Sequence, residues 1–98
     1  MTIEKKINGE ALTLIVSGRL DTQTAPELEN ELDEVLLGLK ELTFDMTNLE
    51  YVSSAGLRVI LKAQKVMNTQ GSMKLTGVND SIMEVFDITR FHDIITIE

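Results

Sequence analysis

The sequence predicts an α/β fold: a mixed β-sheet of about five strands flanked by three helices, in the order β-β-α-β-α-β-α-β. In this chain of 98 residues, short segments with alternating apolar residues are interleaved with longer segments that have apolar residues at helical spacing. A helix between two strands requires a crossover, which makes those strands parallel, whereas the first two segments predict an antiparallel hairpin. The length leaves room for one core, so residues 1–98 are predicted to form a single domain.

The first two strands are predicted to form a β-hairpin. Ile3 and Ile7 lead to the pair Asn8-Gly9, which tolerates the positive φ angles of a tight type I′ turn. The second strand follows this turn, and its apolar residues recur at period two. These residues are Leu12, Leu14 and Val16.

The first helix is predicted to begin after Thr22 or Thr24, because either threonine can cap it and Pro26 suits its first turn. Its apolar residues fall at helical spacing: Ala25, Leu28, Leu32, Val35, Leu36 and Leu39. Residues 27–34 are strongly acidic. We interpret this stretch either as a solvated helix face or as the docking site of a basic partner.

The middle of the chain predicts a short strand, a loop and a buried helix. Apolar alternation predicts a strand at residues 42–46, and residues 47–52 are predicted to be a loop. The second helix is predicted to begin at Ser53-Ser54 and to end near Gly71. Only three of its residues make a clearly polar edge, so most of its sides should be buried. These residues are Arg58, Lys62 and Lys65.

The last third of the chain predicts a strand, a helix and a closing strand. Met73 and Leu75 alternate as in a strand, and Asn79 or Asp80 can cap a third helix. The apolar residues of that helix are Ile82, Val85 and Phe86. The final strand is predicted from Ile94, Ile95 and Ile97.

Composition argues against several classes of function. The net charge of −7 works against binding to nucleic acids and to anionic membrane surfaces. The absence of cysteine excludes disulfides, thiolate zinc sites and thiol catalysis. With no long apolar run and no basic-then-apolar leader after Met1, we expect a cytoplasmic protein.

The candidate site lies where strands of an open α/β sheet end, because ligands and partners bind there. Two loops are expected at that edge, residues 18–21 and residues 48–56. A serine at a helix start is ordinarily a cap, but the adjacent pair Ser53 and Ser54 is more than one cap needs. The small residues Ala55 and Gly56 would leave the backbone there open to close approach.

Three segments of the chain resemble three motifs of the anti-sigma factor antagonists, a STAS domain family, and they occur in the same order. These segments are residues 18–21, 51–57 and 86–95. Residues 51–57 resemble the family's phosphorylation loop, an apolar or aromatic pair followed by Asp-Ser-Ser/Thr-Gly-Leu at the start of the second helix. Residues 18–21 resemble its Gly-x-Leu-Asp motif, and residues 86–95 resemble its closing segment. The resemblance covers nearly the whole chain and implies a STAS-like fold.

The alignment with the phosphorylation loop singles out one serine. Ser54 occupies the acceptor position, and Ser53 replaces the usual Asp before it. Ala55 removes the second hydroxyl of the family motif, which sharpens the choice towards Ser54. Arg58 stands where the family often has Gly.

The resemblance implies a phosphoprotein that regulates transcription by partner switching, and no cofactor or metal. The unmodified protein would bind an anti-sigma factor with serine kinase activity and so free a sigma factor. Phosphorylation of Ser54 would break that complex, and a PP2C-type phosphatase would restore it. The implied partner-binding residues are Asp21, Ser53, Ser54, Ala55, Gly56 and Arg58. Asp21 could equally be a helix-capping carboxylate.

Two other classes of function were weighed. A hydrolase would place its nucleophile in Gly-x-Ser-x-Gly, but Val52 replaces the first glycine before Ser54, and His92 is expected in a surface turn. Asp21 and Asp45 are better explained as loop and strand-end carboxylates than as metal ligands. We therefore expect no enzymatic activity. The alternative that stays open is a STAS scaffold that is not phosphorylated, as a subunit of a signalling or lipid-transport complex.

Overall fold

The computed structural model describes residues 1–98 and has six strands and three helices. In chain order the elements are β1 (Thr2–Asn8), β2 (Ala11–Leu20), α1 (Ala25–Val35), β3 (Glu41–Asp45), β4 (Leu49–Val52), α2 (Ser54–Asn68), β5 (Ser72–Thr76), α3 (Asp80–Thr89), a short 3-10 helix (Phe91–Asp93) and β6 (Thr96–Ile97). The α/β class predicted from the sequence is confirmed. None of the helices has both the length and the apolar content needed to cross a lipid bilayer.

The sheet is mixed, as predicted, and its main order is β1-β2-β3-β5-β6. β1 and β2 are antiparallel, as predicted, but the two residues of the turn are Gly9 and Glu10 rather than Asn8 and Gly9. Asn8 ends β1 and pairs with Ala11, and only Gly9 has a positive φ, 62°, so the turn is not the predicted type I′. All other pairs are parallel. β2 is long enough to pair with β3 along its first half and with β4 beyond Gly18. The end of β2 therefore lies beside β4, and α2 begins directly after β4.

The core lies on one face of the sheet. Alternate residues of β2, β3 and β5 are buried, and they pack with the buried stripes of the helices. The opposite face carries half-buried or exposed polar residues such as Thr13, Thr43 and Lys74. Such alternation is typical of a sheet with one covered face. The covered strand residues are Leu12, Leu14, Val16, Leu42, Phe44, Met73 and Leu75.

The predicted loop at residues 47–52 is wrong in its second half, because Leu49–Val52 forms β4. Leu49 and Val52 are buried, whereas the two residues between them are both exposed. This burial pattern does not alternate, because β4 pairs with β2 across a register shift at Gly18 and Arg19. A strand of four residues with an irregular register lacks the period-two signal on which the prediction depends.

Two predicted boundaries also differ. α1 ends at Val35 rather than extending to Leu39, which is buried outside the helix beyond Gly38 with its φ of 85°. Ile94 was predicted in the last strand, but it follows the 3-10 helix and is 53% exposed. β6 contains only Thr96–Ile97. Ile95, which was also predicted in that strand, lies before β6 and is buried in the core, as Leu39 is. Periodicity alone cannot separate such buried turn residues from helix or strand.

Candidate functional site

The two loops predicted to meet at the ends of the strands lie side by side. The Ser53 N–H donates a hydrogen bond to the Leu20 carbonyl at 2.8 Å. The Gly18 N–H donates to the Asn48 carbonyl at 3.0 Å. These backbone contacts join the end of β2 to both ends of β4, so the start of α2 is held directly beside the residues that follow Leu20.

Ser53 is the cap of α2. Its backbone is extended, with φ −96° and ψ 174°, and its Oγ accepts a hydrogen bond from the Gly56 N–H at 3.3 Å. An N-cap residue of this kind satisfies one of the helix's free amide donors. The hydroxyl of Ser53 is therefore engaged in holding the first turn of α2, and the residue is half-buried.

Ser54 is in a different position. It is the first residue of α2, it is exposed, and its hydroxyl makes no hydrogen bond within the protein. The two serines that the sequence could not separate by pattern thus differ in environment. Only the Ser54 hydroxyl can bind another molecule without breaking the hydrogen bond by which Ser53 caps α2.

Ala55 and Gly56 have separate roles. Ala55 is half-buried and lines a shallow groove against α1. Gly56 is buried, and a Cβ added to it would lie 2.6 Å from Cγ of Leu20. The close approach expected at Gly56 is therefore made by the protein's own β2, because any side chain there would push α2 away from the end of that strand. Gly56 thus allows the first turn of α2, which contains Ser54, to pack directly against Leu20.

The carboxylate of Asp21 stabilises the turn that precedes α1 and does not cap the helix itself, because its hydrogen-bond donors, Gln23 and Thr24, lie before Ala25. Its Oδ1 accepts hydrogen bonds from the N–H of Gln23 at 3.0 Å, from the N–H of Thr24 at 3.1 Å and from the Thr24 hydroxyl at 3.2 Å. Its Oδ2 faces Nε of Arg19 at 3.8 Å. The amide of Thr24, followed by its hydroxyl and the amide of Gln23, holds the pKa of the Asp21 carboxyl below its ordinary value. Thr24 is the N-cap residue of α1, although its hydroxyl makes no capping bond.

Asp21→Asn is expected to lower the melting temperature at pH 7, because the neutral amide oxygen is a weaker acceptor for these three donors. The lowered pKa of Asp21 means that its contribution to stability is present above the ordinary value of 3.8 and is lost as the pH falls through the folded value. Thermal melts of both proteins should therefore differ equally at pH 7 and pH 5, and the difference should shrink progressively as the pH falls below the ordinary value of 3.8. A difference that persists unchanged to pH 2 would contradict this role of the Asp21 carboxylate in the turn before α1.

Arg19 and Tyr51 connect the two loops on the outside, which the sequence analysis did not anticipate. The Arg19 guanidinium carbon lies 4.3 Å from the centroid of the Tyr51 ring, an arrangement typical of a cation–π contact. The two residues are register partners on β2 and β4. Arg19 thus links Asp21 to β4. Once β4 is recognised as a strand parallel to the end of β2, this pairing follows from the register.

The acidic stretch of α1 has partners within the protein. Nζ of Lys62 lies 3.4 Å from Glu29 and 3.6 Å from Asp33, which ties α2 to α1. Glu31 pairs with Lys5 of β1. Exposed pairs of this kind contribute little stability each, because solvent screens the charges. Part of the acidic stretch is therefore engaged by the protein's own lysines.

Arg58 lies on the rim of the groove between α1 and α2. The groove has a volume of about 200 Å³. Its lining comprises Thr22, Ala25, Pro26, Glu29, Ala55, Arg58 and Val59. Arg58 is exposed and lies one helical turn beyond Ser54. The groove is thus continuous with the start of α2.

Asp45 is a strand-end carboxylate. Its Oδ1 accepts hydrogen bonds from the hydroxyl of Thr47 at 2.7 Å and from the N–H of Thr47 at 3.1 Å, and these contacts lower the pKa of the carboxyl. No three His, Cys, Asp or Glu residues lie together in a way that could hold a metal ion. His92, which was expected in a surface turn, lies in the 3-10 helix beside Asp87 and Asp93.

Comparison with known sequences gives a consistent result. The sequence profile of the STAS domain matches residues 2–98. The chain is 32% identical over 97 residues to the anti-sigma-B factor antagonist of Listeria monocytogenes serovar 1/2a, an alignment that covers 96% of this chain and 84% of the relative.

Solved structures share the fold. An anti-sigma factor antagonist from Mycobacterium paratuberculosis superposes with a TM-score of 0.89 at 18% identity, over 98% of this chain and 83% of the other. SpoIIAA has been solved in an unphosphorylated and a phosphorylated form, with TM-scores of 0.79 and 0.78, each at 12% identity. These superpositions cover 99% of this chain and 87% and 91% of SpoIIAA. At these identities the likeness concerns the fold.

Proposed function

This chain belongs to the STAS domain family, and we propose on that basis that it acts as an anti-sigma factor antagonist. In this proposal the unmodified protein binds an anti-sigma factor that is also a serine kinase, and a sigma factor is released. The kinase phosphorylates Ser54, which ends the binding, and a PP2C-type phosphatase reverses the modification. The protein regulates transcription by exchanging partners in the cytoplasm and catalyses no reaction itself.

The difference between the two serine hydroxyls carries this proposal. Ser53 Oγ accepts the Gly56 N–H as the cap of α2, whereas Ser54 Oγ is exposed and has no partner in the protein. A kinase needs an acceptor hydroxyl that can enter its active site and attack the γ-phosphate of ATP. Ser54 can do so without disturbing the first turn of α2, but Ser53 would have to release its cap, which costs about 1 kcal/mol.

Phosphorylation at this position is compatible with the fold. The new phosphate would stand at the N-terminus of α2, where free amide groups and the helix dipole favour an anion. Since SpoIIAA keeps this fold in both its forms, a phosphate on a protein of this architecture does not require refolding. The switch is therefore expected to act on the surface around Ser54 rather than on the core.

The proposed partner surface surrounds Ser54. Ser53, Ala55 and Arg58 lie beside it on α2. Asp21 would take part through Oδ2 only, because Oδ1 is occupied by the loop before α1. Gly56 is buried and contributes by seating this turn against Leu20. A partner that fits this surface closely has no room for a phosphate.

The proposal is tested by incubating the protein with its anti-sigma factor kinase and ATP and locating the phosphate by mass spectrometry. We expect one phosphate per chain, on Ser54. Ser54→Ala should remain unlabelled, and Ser53→Ala, the matched control at the adjacent position, should be labelled. Labelling of Ser54→Ala together with loss of labelling in Ser53→Ala would move the acceptor by one residue. A wild-type protein that binds the kinase but is never labelled would favour the scaffold alternative.

A further inference from the structure

Ser54 and Arg58 lie on one face of α2. Ser54 is the first residue of the helix and Arg58 follows four residues later. Residues at this spacing are neighbours on a helix surface, with Cβ atoms about 5–6 Å apart. Helical side chains tilt towards the N-terminus, so a long side chain covers the turn that precedes its own Cα. At this spacing the side chain of Arg58, which lines the groove beside Ala55, can reach the turn that begins with Ser54.

Arg58 is not engaged elsewhere. It is exposed and forms no ion pair, cation–π contact or hydrogen bond in the structure. The carboxylate that lines the groove with Arg58 is that of Glu29 in α1, which is paired with Lys62 at 3.4 Å. The other arginine at this edge, Arg19, is placed between Asp21 and the Tyr51 ring. Arg58 is thus the cation at this site that can accept a new anionic partner without giving up an existing one.

We propose that Arg58 binds the phosphate carried by Ser54 and is the counter-charge of the phosphorylated state; this inference rests on the proposed function of Ser54. A phosphate has a charge of roughly −1.5 to −2 at neutral pH and three acceptor oxygens. The planar guanidinium presents paired N–H donors that match two phosphate oxygens at once. Ser54 and Arg58 are separated by a single turn of α2, so the two side chains can pair without any rearrangement of the fold.

This pairing gives phosphorylation a second effect on binding. Before modification, the pair formed by the neutral Ser54 hydroxyl and the Arg58 guanidinium has a net charge of about +1. After modification this pair has a net charge of roughly −0.5 to −1, and the guanidinium is no longer available to a carboxylate of the partner. The modified surface is therefore both obstructed and reversed in sign.

The pairing is tested by installing phosphoserine at position 54 during translation and titrating the phosphate by ³¹P NMR. A neighbouring cation stabilises the dianion, so the second pKa of the phosphate should be lower in the wild type than in Arg58→Gln by about 0.3–0.7 pH unit. Arg58→Lys should restore part of this difference. The control is Lys65→Gln, which removes the same charge from the same face of α2 at a distance of about 16 Å from Ser54 along the helix axis. This substitution should leave the second pKa of the phosphate unchanged.

Equal phosphate pKa values in the wild type and Arg58→Gln would overturn the inference, and so would an equal shift in Lys65→Gln. Because the phosphate is installed without a kinase, this result is independent of whether any kinase modifies Ser54. Failure of the proposed function would appear in the labelling experiment, and failure of the Arg58 pairing would appear only in the titration.

Discussion

Phosphorylation of Ser54 is expected to weaken binding to the anti-sigma factor by roughly tens- to thousands-fold while the fold remains intact. A charged group forced into a fitted interface whose partner surface offers it no matching charge costs about 2–5 kcal/mol, and each 1.4 kcal/mol is a factor of ten in affinity. At the exposed N-terminus of α2 in the free protein, the same charge is favoured by about 0.3–1 kcal/mol. Calorimetric titration of the partner with both forms measures the first effect, and thermal melting measures the second.

The control for this prediction is Ser54→Asp. Aspartate adds one negative charge where the phosphate adds nearly two, and it is smaller, so it should fold normally and weaken binding only in part. A phosphorylated protein that binds as tightly as the unmodified one would contradict the prediction. So would a melting temperature more than about 10 °C lower, since this would show that the phosphate acts through unfolding.

Gly71→Ala is expected to destabilise the fold by about 2–4 kcal/mol, a large share of the roughly 5–15 kcal/mol of a domain of this kind. A Cβ at this position would lie 2.0 Å from the carbonyl oxygen of Lys40 and 2.6 Å from its carbon. These are backbone atoms at the start of β3, which is paired with β5 just beyond Gly71. The two strands must therefore separate to admit a methyl group. Urea denaturation should show a lower midpoint with an unchanged slope.

Gly38→Ala separates this steric cost from backbone strain. Gly38 has a φ of 85°, and a Cβ there would meet nothing within 4 Å. The alanine should therefore cost only about 1–2 kcal/mol, the penalty of the left-handed conformation. If both substitutions had the same effect, the close approach to Lys40 would not be the reason for the glycine at position 71.

The fold class was predictable because it depends on local periodicity. β2 buries Leu12, Leu14 and Val16 at alternate positions, and α1 buries Leu28 and Leu32 at helical spacing, as the sequence predicted. β4 was missed because its pairing shifts register and its burial does not alternate. The close contacts of Gly56 and Gly71 were also beyond local pattern, since the atoms they approach belong to residues more than 30 positions away in the chain.

The site was predictable in part. Pattern placed Ser53 and Ser54 together at a helix start, and resemblance selected Ser54, but the pattern alone did not separate their hydroxyls. The separation depends on the backbone at Ser53, whose extended conformation aims Oγ at the Gly56 amide. The contact of Arg19 with Tyr51 depends on β4 and was missed with it.

In the proposed function, the Ser54 hydroxyl is the switch that releases the anti-sigma factor. The most direct measurement follows the complex between the protein and its anti-sigma factor kinase by size-exclusion chromatography before and after ATP is added. We predict that ATP dissociates the wild-type complex and that the Ser54→Ala complex remains intact under the same conditions. A Ser54→Ala complex that dissociates as fully as the wild type would contradict the claim.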